Sequence, residues 1–203
     1  MSYTALRVTE AGVVLFDAHR SRLGPAYSAA FDDFAARAEP GIYGLRGVEG
    51  RLEVTRRDRS RLWAGIPVRL LASPIATRAG AQVKTPSPSP WDSVRQDGVA
   101  TLLTNLERTE IYESCAAAVL GWDGRVLIAT PDASPRVASI TEPYLLARHA
   151  HRRAPILVGA RWPLVLVNAV AGACAPGWSE APPFPADVLA ALNATLAASA
   201  RRP

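Results

Sequence analysis

The chain contains one lysine, Lys84, among 23 lysine and arginine residues. A lysine amine can lose its proton and attack a carbonyl carbon, whereas a guanidinium stays protonated and cannot. The abundance of arginine, alanine and proline is also what a GC-rich genome produces, and that bias removes lysine without a functional cause. The bias explains why lysine is rare but not where the last one lies, so Lys84 is a candidate nucleophile for carbonyl chemistry.

The first elements that would surround such a site alternate between strand and helix patterns. TALRVTEAGVVLF, residues 4–16, predicts two short strands around the turn EAG. Asp17 can cap a helix over residues 18–37, and the segments GIYGLR and RLEVTRR flank GVEG as a hairpin. We therefore expect a small α+β lobe over residues 1–65.

A second group of strands begins with IPVRLLASPI. CAAAVLGW and RVLIAT form the clearest hairpin, because the Asp-Gly dipeptide at 123–124 supplies the positive φ of a two-residue turn. In SITEPYLLARHA, Ser139 or Thr141 can cap a helix. The strands ILVGA and PLVLVNAV and a helix over 186–200 complete a larger α/β lobe, residues 66–203. The predicted fold class is α+β with two lobes.

Composition narrows the class of protein. The 203 residues are 49% hydrophobic, which is enough to bury a core, and the formal net charge is +5. The arginines are dispersed and often lie beside acids, as in RRDRSR, so we expect a solvated surface and no nucleic-acid partner. With no signal-peptide pattern and no long apolar stretch, we expect a cytoplasmic protein without a membrane segment. Cys115, Cys174 and the three histidines lack metal-ligand spacing, which predicts reduced thiols and no metal.

Five sequence blocks occur in a fixed order between residues 19 and 176. They are HRSRL, AGAQVK, IYESCAAAVLGWDGRVLIATP, VASITEPYLL and LVLVNAVAGACAP. In order and approximate spacing they resemble the fold-type IV pyridoxal-phosphate enzymes, which include branched-chain and D-amino-acid aminotransferases and aminodeoxychorismate lyase. HRSRL resembles that family's H-x-x-R-L, and VASITEPYLL is similar to its L-P-G-I-T-R turn and helix. The resemblance implies a two-lobed fold and pyridoxal 5'-phosphate as the cofactor.

The resemblance also implies a role for individual residues. Lys84 would form the Schiff base with the cofactor, Glu113 would pair with its ring nitrogen, and Arg22 and backbone amides at a helix start would bind its phosphate. The residues implied to contact the cofactor are Arg22, Lys84, Glu113, Ser139, Ile140, Thr141 and Asn168. Simpler interpretations stay open: Arg22 as a surface arginine, an ordinary capped helix, and Asn168 as the end of a strand. A carboxylate in an apolar strand region needs a partner, which favours a functional Glu113.

The implied chemistry is removal of a substrate α-proton by Lys84, with Glu113 keeping the cofactor ring protonated so that it accepts the electrons. The pattern E-S-C-A-A and the pair Asn168-Ala169 look more like the lyase, which eliminates a group from an amino-substituted substrate. An aminotransferase of the branched-chain or D-amino-acid type is one alternative, and a non-catalytic ligand-binding member of the fold is another. The implied partners are a small-molecule amino substrate and a second copy of the chain, as a homodimer.

The sequence departs from the family pattern at several points. It begins near the second strand of the family's small lobe. Glu142 stands where an arginine is usual, Ala138-Ser139 where Pro-Gly is usual, and Ala118 where an asparagine is usual. Related enzymes begin a helix after the lysine, but here the lysine is followed by Pro86, Pro88 and Pro90. These departures are the reason for keeping a repurposed protein among the alternatives.

Overall fold

The computed structural model describes residues 2–58, 64–75 and 91–203. Lys84 and the three prolines that follow it lie outside these ranges. The described strands are β1 Ser2–Thr9, β2 Gly12–Val13, β3 Gly41–Val48, β4 Arg51–Arg57, β5 Val68–Ala72, β6 Ala100–Thr104, β7 Glu110–Ser114, β8 Ala118–Trp122, β9 Leu127–Ala129, β10 His151–Arg153, β11 Ile156–Leu157, β12 Leu164–Asn168 and β13 Gly172–Cys174. The described α-helices are α1 Phe16–Leu23, α2 Ser28–Arg37, α3 Thr141–Leu146 and α4 Ala186–Ala197.

The strands form three sheets, and the mixed α+β class predicted from the sequence is confirmed. The first sheet is antiparallel in the order β2-β1-β3-β4, and α1 and α2 cover one of its faces. The second has the order β10-β9-β8-β12-β13 and the third the order β11-β7-β6-β5. Apolar side chains of β8 and β12 alternate between a cluster shared with the third sheet and a cluster shared with α3 and α4. The strands that carry the site are therefore anchored on both sides.

The single helix predicted over residues 18–37 is wrong in its middle. The structure divides it into α1 and α2, with a 3-10 turn at Pro25–Tyr27 between them. Gly24 ends α1 with φ of 92°, and Pro25 has no N–H with which to continue the helix. Asp17 does not cap α1 either, because the helix already begins at Phe16, one residue before Asp17. Leu15, which precedes the helix, has a left-handed backbone with φ of 56°. Asp17 instead lies in the first turn of α1 and pairs with Arg201.

The predicted hairpins are present, and two details differ. The strands β3 and β4 pair up to Val48 and Arg51, so their turn is the two residues Glu49 and Gly50. In the β8–β9 hairpin the central turn residues are Gly124 and Arg125, because Asp123 stands one position earlier and its carboxylate accepts the Arg125 and Val126 amides at 3.0 and 2.9 Å. Gly124 has φ of 95°, as the turn requires.

The segment SITEPYLLARHA contains a shorter helix than its pattern suggests. Helix α3 ends at Leu146, and residues 151–153 form β10, which pairs parallel to β9. The predicted terminal helix is confirmed as α4, whose buried Leu192 and Leu196 pack on the second sheet. No α-helix within the described ranges has the length and apolar character of a membrane-spanning segment.

Candidate functional site

A cleft of about 250 Å³ brings together distant parts of the sequence. It is bordered by the first sheet, by the segment at 91–95, by the turn after β7, by the loop before α3 and by the end of β12. Six of the seven residues implied to contact a cofactor line it: Arg22, Glu113, Ser139, Ile140, Thr141 and Asn168. The seventh, Lys84, lies outside the described residues. The convergence is a matter of position, and the role of each residue stays a prediction.

Glu113 is the buried acid of this cleft, with 5% of its surface exposed. Its pairing strand β6 matches Leu103 with Glu113 but Thr104 with Ile111, so Tyr112 is an extra residue in a β-bulge. Bulges re-aim the neighbouring side chains. The Glu113 carboxylate accepts one hydrogen bond at each oxygen, from the Trp91 indole at 3.0 Å and from the Val137 amide at 3.1 Å.

These contacts give Glu113 an unusual electrostatic position. Burial raises the pKa of its carboxyl to about 7, while the two N–H donors and the Arg136 guanidinium limit the rise. A second positive charge in the cleft would favour the ionised form further. Glu113 is therefore suited to pairing with a protonated ligand nitrogen near neutral pH.

Arg22 reaches the same loop from the last turn of α1. Its guanidinium donates to the carbonyl oxygen of Ala138, next to the residue that binds Glu113. Burial lowers the pKa of Arg22, and it forms no ion pair with any acid in the described part of the chain. A half-buried guanidinium with only a carbonyl partner is a suitable ligand for an anion.

The loop before α3 is capped by its own serine. The N-cap position of α3 is Ile140, one residue after Ser139, and Thr141, the other predicted cap, is the first residue of the helix. The Ser139 hydroxyl oxygen nevertheless accepts the first-turn amides of Thr141 at 3.2 Å and Glu142 at 3.1 Å, as a capping side chain does. A glycine at this position could not make these bonds. One of the two amides expected to bind phosphate, that of Thr141, is therefore already paired. Within the described residues the amides of Ala138, Ser139 and Ile140 have no acceptor, so the loop offers three donors, of which Ile140 is the one expected to bind phosphate.

Glu142, where the resembling family has arginine, lies in a buried network of ion pairs. Its side chain is 2% exposed and contacts the guanidinium groups of Arg136 and Arg153, the latter at 3.1 Å. Arg153 also contacts Asp132 at 3.2 Å and donates to the Thr130 carbonyl at 2.8 Å. A single buried carboxylate with two cationic partners is stabilised where an isolated one would not be. The network fixes the loop that contacts Glu113 and Arg22.

Asn168 is the last residue of β12, and its side-chain amide forms hydrogen bonds with backbone groups. Its nitrogen donates to the Ala116 carbonyl at 3.0 Å, and its oxygen accepts the Val170 and Ala171 amides at 2.9 and 2.7 Å. Asn168 thus joins the end of β12 to the turn after Glu113. Its position in the cleft is as expected, but its bonds favour the simpler interpretation, in which it shapes the wall.

Several residues of the cleft were not predicted from the sequence. Trp91 follows the proline-rich segment without any local signal that it reaches Glu113, 22 positions further on. Arg57 had a weak signal, since Arg56 and Arg57 are adjacent in a strand and must face opposite sides of the sheet. Cys115 also lines the cleft, but burial raises the pKa of its thiol to about 11, so it is not a reactive thiolate.

Charged side chains make the cleft positive. Its lining includes three arginines, Arg22, Arg57 and Arg95, and two acids, Asp92 and Glu113. Arg95 pairs with Asp92, which leaves two guanidinium groups without an acidic partner among the described residues. No three His, Cys, Asp or Glu side chains of the described ranges cluster closely enough to hold a metal ion. The excess of guanidinium groups over acids in the lining favours an anionic ligand.

Comparison with known proteins identifies the architecture. No protein-family model and no curated protein matches the chain. A hypothetical aminotransferase from Mycobacterium tuberculosis in its PLP-bound form is similar in structure with a TM-score of 0.73 and 17% sequence identity, over 97% of this chain and 89% of that one. The 4-amino-4-deoxychorismate lyase from Pseudomonas aeruginosa is similar with a TM-score of 0.65 and 16% identity, over 96% of this chain and 89% of that one.

The same Mycobacterium tuberculosis aminotransferase in its form bound to alpha-ketoglutarate and PMP gives a TM-score of 0.69 at 18% identity, over 97% of this chain and 89% of that one. Identities at this level reflect a common architecture and leave the activity open. The two-lobed architecture implied by HRSRL and the four later blocks agrees with these matches. From strand pairing, cleft and comparisons together, the chain has the fold of the fold-type IV aminotransferases and 4-amino-4-deoxychorismate lyases.

Proposed function

We propose that this protein is a pyridoxal-phosphate-dependent enzyme that acts on the amino group of a small molecule. One observation carries the proposal: the buried carboxylate of Glu113 and the guanidinium of Arg22, which has no acidic partner in the described ranges, contact consecutive residues of one loop in a single cleft. Helix α1 and strand β7 supply these side chains from opposite halves of the described chain. The PLP-bound and PMP-bound forms of the similar aminotransferase support the choice of cofactor.

The described lining fits this cofactor in its donor chemistry. Arg22 and the Ile140 amide would bind the phosphate, and Glu113 would hold the ring nitrogen in its protonated form. Bound pyridoxal phosphate supplies an aldehyde for the substrate amine and a ring that accepts electrons from the adjacent carbon. Trp91 and the Val137 amide keep the Glu113 carboxylate oriented and exclude water from it.

Lys84 is the proposed attachment point and proton acceptor. As the only lysine, it is the one side-chain amine of the chain. As a free amine, its Nζ atom would take the proton from the substrate carbon next to the amino group. The product then depends on which atom receives a proton and on whether a group on the neighbouring carbon leaves.

Among the activities of this fold, we favour elimination from an amino-substituted substrate. The segment E-S-C-A-A and the pair Asn168-Ala169 are similar to the lyase pattern, and their backbones are tied together by the Asn168 side chain. Amino-group transfer is the second candidate, supported by the similar aminotransferase bound to alpha-ketoglutarate and PMP. Conversion of the cofactor to its amine form by amino-acid donors would distinguish transfer from elimination.

One experiment tests the core of the proposal. Purified protein mixed with pyridoxal phosphate should absorb in the near ultraviolet or violet, and borohydride should then fix the cofactor covalently. Peptide mass spectrometry should find the adduct on Lys84, while a Lys84→Arg variant, which keeps the charge, should carry none. The N-terminal amine is the one other primary amine and serves as the internal control. Absence of an adduct on Lys84 in the unaltered protein would support a non-catalytic ligand-binding protein instead.

A further inference from the structure

Residues 199–202 follow α4 and lie against the start of α1, and we call this segment the clasp. Val13 and Arg201 form an isolated antiparallel bridge, in which their amides donate to each other's carbonyl oxygens at 2.9 and 3.1 Å. The Arg201 guanidinium pairs with Asp17 in the first turn of α1, and its central carbon lies 4.3 Å from the centre of the Phe16 ring. Backbone, charge and ring contacts therefore hold Arg201 against the residues that lead into α1.

Ser199 joins the end of α4 to the start of α1 through one hydroxyl group. The hydroxyl donates to the Leu196 carbonyl at 2.5 Å and accepts the amide of Leu15, the residue before α1, at 3.0 Å. Because the same oxygen is donor and acceptor, removal of the hydroxyl would break both hydrogen bonds at once.

The start of α1 is the junction between two hydrophobic clusters. Val13 and Phe16 pack in the cluster of the first sheet, α1 and α2. Val14 and Leu15, which lie between them in the sequence, pack in the cluster of the second sheet, α3 and α4. The clasp therefore adds polar contacts from the end of α4 at the point where the first sheet and its helices meet the second sheet.

The position of α1 determines where the Arg22 guanidinium lies. The Ser2 hydroxyl donates to the Leu23 carbonyl at 3.0 Å, which ties the end of α1 to its own sheet. At about 1.5 Å of rise per residue, Arg22 lies about 9 Å along the helix axis from Phe16, and it donates to the Ala138 carbonyl in the loop before α3. That loop borders the cleft from the opposite side. A displacement of the start of α1 relative to α4 would therefore change the separation between Arg22 and the loop.

We propose that Ser199 and Arg201 are positioning residues for phosphate binding. Through α1, they set the separation between the Arg22 guanidinium and the amides of the loop before α3, among them that of Ile140. This role rests on the proposed function, in which Arg22 and Ile140 bind the cofactor phosphate from opposite sides of the cleft. A phosphate that bridges the two sides binds tightly only while they are held at the right distance. Neither Ser199 nor Arg201 lines the cleft, so neither contacts the phosphate itself.

Two glycine variants distinguish displacement of the clasp from backbone strain. A Cβ atom at Gly12 would stand 2.3 Å from the carbonyl carbon of Arg201 and 2.7 Å from the amide nitrogen of Arg202, so Gly12→Ala must push the clasp away. Gly50, in the β3–β4 turn of the same sheet, has φ of 79° against 115° for Gly12, but a Cβ atom there would have no neighbour within 4 Å. Both substitutions strain a turn, and only Gly12→Ala displaces the clasp.

The probe is pyridoxine 5'-phosphate, which has the phosphate and the ring nitrogen but no aldehyde, so its binding does not require a bond to Lys84. In calorimetric titrations, Gly12→Ala should weaken its binding about tenfold, because the charge-assisted contact of Arg22 is lost. Ser199→Ala leaves the turn unaltered and should weaken binding about threefold, while Ser199→Thr, which keeps the hydroxyl, should restore the affinity. Gly50→Ala should bind the probe as the unaltered protein does.

A double variant shows whether the clasp acts through Arg22. In the Arg22→Ala background, Gly12→Ala should cause no further loss of affinity, because the guanidinium that the clasp positions is already absent. A general weakening of the fold would instead lower the affinity by the same factor in both backgrounds.

These titrations also separate the role of the clasp from the proposed function. The role would be overturned by unaltered affinity in both Gly12→Ala and Ser199→Ala, by an equal loss in Gly50→Ala, by the same loss in the Arg22→Ala background, or by no detectable binding of the probe. An adduct on Lys84 would stand in each of these cases. Conversely, a loss confined to the clasp variants and dependent on Arg22 would stand even if Lys84 carried no adduct.

Discussion

The pH dependence of stability is the most direct consequence of burying Glu113. Its pKa is about 7 in the folded protein against 4.5 for the free side chain. Between these values the unfolded chain has released a proton that the folded chain retains. Stability is therefore full below the unfolded pKa and is lost as the pH rises through the folded pKa.

The magnitude follows from the two pKa values. Each unit of difference is worth about 1.4 kcal/mol, so the loss approaches about 3 kcal/mol once the pH is well above 7. Between pH 5 and pH 8 the expected loss is about 2 to 3 kcal/mol. Glu113→Gln removes the titration. The glutamine amide cannot accept from both Trp91 and Val137, but that mismatch costs about 1 kcal/mol at every pH and does not affect the slope.

Urea unfolding of cofactor-free protein at pH 5, 6, 7 and 8 measures the effect. The stability difference between the Glu113→Gln variant and the unaltered protein should move in favour of the variant by about 2 to 3 kcal/mol across this range. Trp91→Phe removes a donor that lowers the Glu113 pKa, so its stability should fall more steeply with pH than that of the unaltered protein. Parallel curves for the unaltered protein and Glu113→Gln would refute the reasoning.

Three further predictions concern cofactor binding, stability and assembly. Arg22→Ala should weaken pyridoxal phosphate binding by about 1.5 to 3 kcal/mol, while Arg20→Ala on the same helix should not, because Arg20 is already paired with Asp32 at 2.8 Å. Spectrophotometric titration measures both affinities, and equal affinities in the two variants would contradict the phosphate role of Arg22. Glu142→Gln should destabilise the protein by about 3 kcal/mol or more because two arginines lose their buried partner, whereas breaking the exposed Asp33 pair by Asp33→Asn should cost about 0.5 kcal/mol or less in urea unfolding. Light scattering should give twice the 21.6 kDa chain mass, since among the described strands β2 pairs with β1 only at Val8 and Thr9, and a second copy would extend that side of the sheet; a monomer that still binds cofactor would contradict the homodimer.

Local sequence patterns predicted the structural features that depend on residues close together in the sequence. The hairpins, the serine cap at Ser139 and the terminal helix each follow from turn residues, capping groups and periodicity. The break at Gly24 was missed because a glycine and a proline inside an apolar helical pattern can be read as either a kink or an end. The strand β10 was missed because His151–Arg153 is polar and exposed, and its pairing with β9 comes from the arrangement of distant elements.

Local patterns do not predict the long-range contacts that orient the charged side chains of the site. Trp91 reaches Glu113 across 22 positions, and Arg57 reaches Tyr3 across 54. Neither contact leaves a periodic trace, because each depends on strand register and on the path of one side chain. The resemblance carried by five ordered blocks could bring Glu113 and Arg22 to one cleft, since a shared architecture fixes strand positions. It could not reveal a chain-specific partner such as Trp91.

Glu142 illustrates how a departure from the family pattern is accommodated. The loop that it anchors gives the Val137 amide to Glu113 and the Ala138 carbonyl to Arg22. Glu113 and Arg22, the two side chains that would hold the cofactor, thus both contact this one short segment. The ion pairs of Glu142 hold the segment in place. A buried glutamate here requires cations nearby, and Arg136 and Arg153 supply them. Loosening this anchor by Glu142→Gln should therefore shift the titration of Glu113 and weaken phosphate binding together, although Glu142 does not itself line the cleft.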